Sequence, residues 1–393
     1  GAAVGSSTNR LTSVSISGPT ILNGGSIYTS GAQTFTGAAT LGANNTLNSS
    51  TGAISFGNTI NGAYDLVLSG NTVSLSGAIG GSTALSSLNV TGPTSLGGGA
   101  VTTTGSQTYN SATTISVDST FNTTNSNVTF GSTLNSSGSA RALTVNAGTG
   151  AISLSGNAGN TLALSTINLN STGATTIGGN VSASSLTTNA GGTTTFNGGL
   201  ITVSGNTNLN DAVVLGGATS FTNSGGGVNF ASTVDGNALL SASTSTGVTF
   251  NGIVGGTTAV NAINISGPTT INTTNITTAS SQTYGGATTL GSNSTINSGG
   301  NVTFSNTLNG AFNLAVTAVN SIFNGIVGGS TALSSLSTSG QTTINTTAIN
   351  TTGAQTIGGS LTLGSNSTLT SSAGTITLNG TTNGAFDFAL NGN

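Results

Sequence analysis

The chain contains no cysteine, histidine, methionine, tryptophan, lysine or glutamate, and only 3 of its 393 residues are proline. Without cysteine there is no disulfide and no thiolate metal site, and a chain that crosses an envelope unfolded tolerates that lack of cross-links, which points towards export. The charged side chains are Arg10 and Arg141 against Asp65, Asp118, Asp211, Asp235 and Asp387. Two arginines cannot neutralise a run of phosphates, so nucleic-acid binding is excluded as a function class. No stretch approaches the ~20 consecutive apolar residues of a membrane helix, and no membrane span is expected in this segment. No charged and apolar leader opens the sequence at Gly1.

What is present is glycine, 63 residues of it, with threonine, serine and asparagine, 34% hydrophobic residues and 2% charged ones. Such a composition suits a disordered tract unless the apolar residues are placed regularly. Here they are regular. Gly18-Pro19-Thr20 recurs as Gly92-Pro93-Thr94 and Gly267-Pro268-Thr269, with Gly340-Gln341-Thr342 as a variant. A glutamine follows each at a fixed offset (Gln33, Gln107, Gln282, Gln355), and then an aliphatic residue (Leu41, Ile115, Leu290, Leu363). The interval from Gly18 to Gly92, matched by that from Gly267 to Gly340, is therefore a long internal repeat.

A shorter rhythm runs inside it. Leu41, Ile60 and Ile79 are evenly spaced, and the same interval separates Leu47, Leu66 and Leu85, and Phe35, Ile54 and Val73. Apolar residues every six positions, with Gly, Asn or Ser between them, are the pattern of a three-sided coil with one short strand per side. Alternations such as Ile54-Ser55-Phe56 and Val128-Thr129-Phe130 read as strand, and no helical periodicity appears. The prediction is an all-β fold, a parallel β-helix or β-solenoid of about 19 residues and three short strands per coil. Residues 1–393 form one continuous solenoid of roughly 20 to 21 coils, a rod of about 100 Å at ~4.8 Å per coil. Long repeats start near 18, 92, 173, 267 and 340, at four coils each. The third begins twice, at Gly173 and again at Gly192, so one extra coil is expected there. A polar stretch, Asn135 to Arg141, lengthens the second repeat and reads as an enlarged corner loop.

Chemistry is hard to assemble from these residues, and no catalytic, cofactor-binding or metal residue is assigned. Glycoside cleavage needs paired carboxylates, and five aspartates are too sparse. Asp65 and Asp387 occupy matching places, but Asn313 fills the same place, which indicates a corner residue. A calcium-binding solenoid needs a carboxylate in each turn. Gly97-Gly98-Gly99 and Gly225-Gly226-Gly227 lack the Lys-Ser/Thr of a phosphate loop. Asn-x-Ser/Thr triplets, as at Asn122, Asn272 and Asn345, arise by chance in so biased a composition. The chain is expected not to be an enzyme. Thr34-Phe35-Thr36, Thr102-Thr103-Thr104 and Thr193-Thr194-Thr195 raise an ice-binding alternative, but they do not recur at the coil spacing.

Segments such as Val101-Thr102-Thr103-Thr104-Gly105-Ser106-Gln107-Thr108-Tyr109-Asn110 and Phe250-Asn251-Gly252-Ile253-Val254-Gly255-Gly256-Thr257-Thr258-Ala259 resemble repeats of bacterial autotransporter and filamentous-haemagglutinin-like β-strand-repeat surface proteins. The resemblance implies a right-handed parallel β-helix, export across a Gram-negative envelope and an extracellular role in adhesion, biofilm or a fibre. It carries over no binding residue, and no secretion or translocator domain is recognisable. The first and last residues fall almost in phase within the repeat, so head-to-tail self-association, or membership of a longer array, is expected. The expected function is a structural shaft of a surface fibre or self-assembling filament in a biofilm, matrix or envelope scaffold. An adhesin passenger that binds a host or surface ligand is the alternative.

Overall fold

A computed structural model describes residues 2–392, which divide into two compact units, 2–195 and 196–392. Among the described residues every regular element is a β-strand, and every strand pairing is parallel, coil upon coil. The fold is a β-solenoid.

In the first unit three stacks of strands form the three sides. The first side runs Val14–Ile16, Gln33–Phe35, Ile54–Phe56, Val73–Leu75, Thr94–Leu96, Thr113–Ile115 and Leu134–Ser136. The second side contains Thr20–Leu22, Ala39–Leu41 and Ile60–Asn61, continues through a bridge at Ile79, and takes in Ala100–Thr102, Ser119–Asn122 and Leu143–Gly148. The third side runs from Ser26–Thr29 through Asn45–Ser49, Asp65–Ser69 and Ser87–Thr91 to Gln107–Tyr109, Val128–Phe130, Ile152–Leu154 and Ala174–Ile177. Most strands alternate buried and open residues, because successive side chains point to opposite faces, although Leu134–Ser136 is buried throughout. Parallel pairing in register then places like above like. Phe35 stacks on Phe56 at 4.7 Å between ring centroids, and Tyr109 on Phe130 at 5.1 Å. Each such offset stack contributes roughly 0.5–1.5 kcal/mol beyond its buried area.

Strand register fixes the coil length. Val14 pairs with Gln33, Gln33 with Ile54, Ile54 with Val73, and Val73 with Thr94, so shorter and longer coils alternate on this side. Only the shorter ones match the interval of the apolar residues, and the mean coil is slightly longer than that interval suggests. In the coil from Val73 to Thr94 the difference arises at Leu85, which is fully buried and follows Leu66 at the apolar interval. Leu66 pairs instead with Leu88. Leu85 closes the loop Gly80–Ser86, where Gly80 takes a left-handed φ of 70°, and the loop inserts the additional residues. The coil from Gln33 to Ile54 is already longer without that loop, Leu47 pairing with Leu68 rather than Leu66.

The long repeat is consequently not four coils. Its start lies on the second side at Thr20, on the first side at Thr94 and on the third at Thr175. From Thr20 to Thr94 the chain passes eleven sides, which is three coils and two sides. Successive long repeats therefore begin on a different side each time. The coil inserted after Gly173 behaves as a whole coil, since Val181 bridges Ala158 on the first side and Leu186 pairs with Ile167 on the second. The enlarged corner is present too. Ser137 to Ala140 are exposed between Leu134–Ser136 and Leu143–Gly148, and they lengthen the coil that separates Ser119 from its partner Leu143.

The second unit follows the same plan. Tyr284, Phe304 and Phe323 form a stacked column with centroid spacings of 5.2 and 5.6 Å. Thr269 pairs with Val248 and Thr288, whereas Thr342 pairs with Ser321 and Leu361, so here too consecutive long repeats start on different sides.

Candidate functional site

One surface feature recurs once per long repeat. It begins with a side-chain oxygen on a short strand: Asn61, Asp235 and Asn309 at the strand's end, and Asn135 within Leu134–Ser136. That oxygen accepts backbone N–H groups of a loop in the next coil. Asn61 Oδ1 accepts from Ser82 and Thr83 at 2.9 and 3.3 Å, and Asn309 Oδ1 from Ser330 and Thr331 at 3.0 and 3.3 Å. Asp235 Oδ1 accepts from Thr257 and Thr258 at 2.8 and 3.1 Å, and Asn135 Oδ1 from Thr161 at 2.9 Å. The loop opens on a left-handed glycine, Gly80, Gly159, Gly255 or Gly328, with φ between 67° and 75°. A Cβ at Gly80 would collide with the Thr102 carbonyl, so only glycine fits both the dihedral and the space.

Beside each loop stands a residue whose carbonyl accepts from the loop's far end: Tyr64 from Ser86, Arg141 from Ser165, Ala238 from Asn261 and Phe312 from Ser334. Constant backbone geometry thus carries a varied side chain. Tyr64 is 40% exposed. Because the long repeat walks round the coil, the loop after Ile79 joins the second and third sides while the loop after Ala158 joins the first and second.

The aspartates serve backbone and neighbouring hydroxyls. Asp235 does what Asn61 and Asn309 do, and Asp118 Oδ1 accepts from the Ala142 N–H at 2.9 Å. Asp65 Oδ1 accepts from the Ser87 hydroxyl at 2.7 Å, and Asn313 makes the same bond to Ser335 at 2.8 Å, which supports the corner reading of that place. The Asp387 N–H donates to Asn366 Oδ1. Asp211 is buried, just ahead of Ala212–Asn223. Among the described residues no three His, Cys, Asp or Glu side chains gather, and no helix is long and apolar enough to cross a membrane. Arg10 donates to the Thr29 and Asn48 carbonyls and lies over the Tyr28 ring.

The recurring glutamines are interior clamps, a role that their spacing alone does not disclose. Gln33 Nε2 donates to the Ile27 carbonyl, Thr29 Oγ1 and the Asn48 carbonyl of the next coil, and Gln107 and Gln355 make the corresponding sets. Gln282 bonds Thr278 and the Asn297 carbonyl. A threonine four residues before each glutamine is the sequence signal. At Thr207, where the glutamine is missing, Asn223 from the following coil donates to Gly205, Gly227 and Thr207. Tyr109 and Tyr284 donate their hydroxyls to Gln107 and Gln282. Burial pushes both phenols above their ordinary range.

No family model, curated protein or solved structure matches this chain.

Proposed function

We propose that the chain is a stretch of structural shaft in an extracellular bacterial surface fibre or self-assembling filament, with a second copy as its principal partner. The observation that carries this reading is the walk of the long repeat round the three sides. A binding face is built by stacking one feature on one side, and here the recurring loop changes corner from repeat to repeat. Repetition has gone into coil-to-coil bonding instead. The clamps, the capped loops and the asparagine ladder Asn122–Asn146–Asn170 all join one coil to the next. Parallel coils also present strand edges that another copy can extend by the same hydrogen bonds. Export and a place at the cell surface rest on the family resemblance and on the absence of cysteine.

The ice-binding alternative loses ground on the same observation, since Thr34 lies on the first side and Thr102 on the second. An adhesin remains the second reading. It is favoured by the varied residue in the constant corner, Tyr64, Arg141, Ala238 or Phe312. Negative-stain images of the full chain across a concentration series are the test. Filaments are expected, and particles that stay single at every concentration would count against the shaft. Loss of surface retention in Tyr64→Ala and Phe312→Ala, with assembly intact, would favour the adhesin.

A further inference from the structure

Several Asn-Gly pairs occupy corners of the solenoid, and they fall into two structural classes. In the first, Asn61-Gly62 and Asn309-Gly310, the glycine N–H is held by a carbonyl of the next coil: Gly62 donates to Thr83 at 3.1 Å and Gly310 to Thr331 at 3.2 Å. In the second, Asn251-Gly252 and Asn324-Gly325, the glycine N–H has no hydrogen-bond partner among the described residues, and the asparagine is exposed. The asparagine carbonyl in this class is polarised by the next asparagine up the stack. Asn272 Nδ2 donates to Asn251 Oδ1 at 2.8 Å, and Asn345 Nδ2 to Asn324 Oδ1 at 2.8 Å.

The geometry points to Asn251 and Asn324 as sites of spontaneous conversion from amide to acid, with Asn61 and Asn309 protected. The glycine nitrogen attacks the asparagine Cγ and forms the N–C bond of a five-membered imide. The C–Nδ2 bond breaks, and the proton from the glycine nitrogen leaves with the ammonia. Water then opens either C–N bond of the imide to give aspartate or isoaspartate, so asparagine and water become acid and ammonia. The nucleophile must first give up its proton. An amide committed to an inter-coil hydrogen bond must open locally before it can do so, whereas an unbonded amide at a corner needs no opening. Donation onto Oδ1 makes Cγ more electrophilic in both classes, so the glycine N–H is the feature that separates them.

The consequence for the molecule is charge. A chain with five acids acquires more of them along an asparagine ladder, since Asn251 also donates to Asn229 Oδ1 and forfeits that bond on conversion. The test is peptide mass mapping of the folded full chain held at mildly alkaline pH, with isoaspartate read independently by enzymatic methylation. Conversion at Asn251 and Asn324 several-fold faster than at Asn61 and Asn309 is expected. A denatured sample should convert all four at similar rates, because there every glycine N–H is free. Equal rates in the folded protein, or earlier conversion at Asn61 and Asn309, would overturn the assignment.

Discussion

A single atom separates the clamps of successive repeats. In the Gln107 and Gln282 clamps a tyrosine hydroxyl satisfies the glutamine oxygen, but where the ring is Phe35 the Gln33 Oε1 is buried with no partner, as is Gln355 Oε1 beside Ile357. An unsatisfied buried acceptor costs about 1–3 kcal/mol. Phe35→Tyr places a hydroxyl where Tyr284 has one, and should raise stability by about 1 kcal/mol, seen as a higher thermal midpoint. Tyr284→Phe should lower it by a similar amount. Alkali acts on the same groups with the opposite sign. Tyr109 and Tyr284 are held neutral by burial, so above about pH 10 the unfolded chain releases protons that the folded chain keeps. Stability should then fall by about 1.4 kcal/mol per pH unit for each phenol. The Tyr109→Phe, Tyr284→Phe double variant should be less stable at neutral pH yet lose this part of the alkaline decline, so the two stability–pH curves converge above pH 10.

At the scale of strand and corner, one place is filled by asparagine three times and by aspartate once, and Asp235 accepts the same pair of loop N–H groups as Asn61 and Asn309. Asn61→Asp should therefore change stability by less than about 0.5 kcal/mol. Asn61→Ala leaves the Ser82 and Thr83 amides without their acceptor and should cost about 1–3 kcal/mol, both read from thermal unfolding. Gly80→Ala should be worse than either, because strain at a left-handed φ adds to the collision with Thr102. Much at this scale was legible in the sequence. The alternation in Ile54-Ser55-Phe56 gave the strand and its inward residues, and the even interval gave its neighbour at Val73, but on the other side Ile54 pairs with Gln33 rather than with Phe35. Leu85 was misleading for a physical reason: a buried leucine that closes a loop has the same hydrophobicity as one that fills a side, and only pairing of Leu66 with Leu88 tells them apart. The clamps were visible as recurring glutamines, but their spacing did not disclose that these polar residues are fully buried.

For the whole molecule, the walk of the repeat means that all three sides of the coil accept the same sequence. Thr269-Thr270-Ile271 and Thr342-Thr343-Ile344 are near-identical strands on different sides of one unit. Each side therefore provides an equivalent inward space, and a segment needs only to keep its residues facing inward and its corner glycines in place. Removal of residues 267–339 joins Ser266 to Gly340 and deletes eleven sides, which is not a whole number of coils. If the solenoid required whole coils, this deletion would destroy it. With equivalent sides, Thr342–Ile344 settles on Val248–Phe250 where Thr269–Ile271 stood, the following strands take the next positions in turn, and everything downstream is rotated by one side. The variant should fold with strand content per residue and protease resistance like those of the parent. Removal of residues 267–303 instead joins Ser266 to Phe304, a residue that belongs inside the core, at a position where the chain turns a corner. That variant should lose protease resistance and melt early. Comparable resistance in the two deletions would show that the corners, rather than the sides, absorb the change.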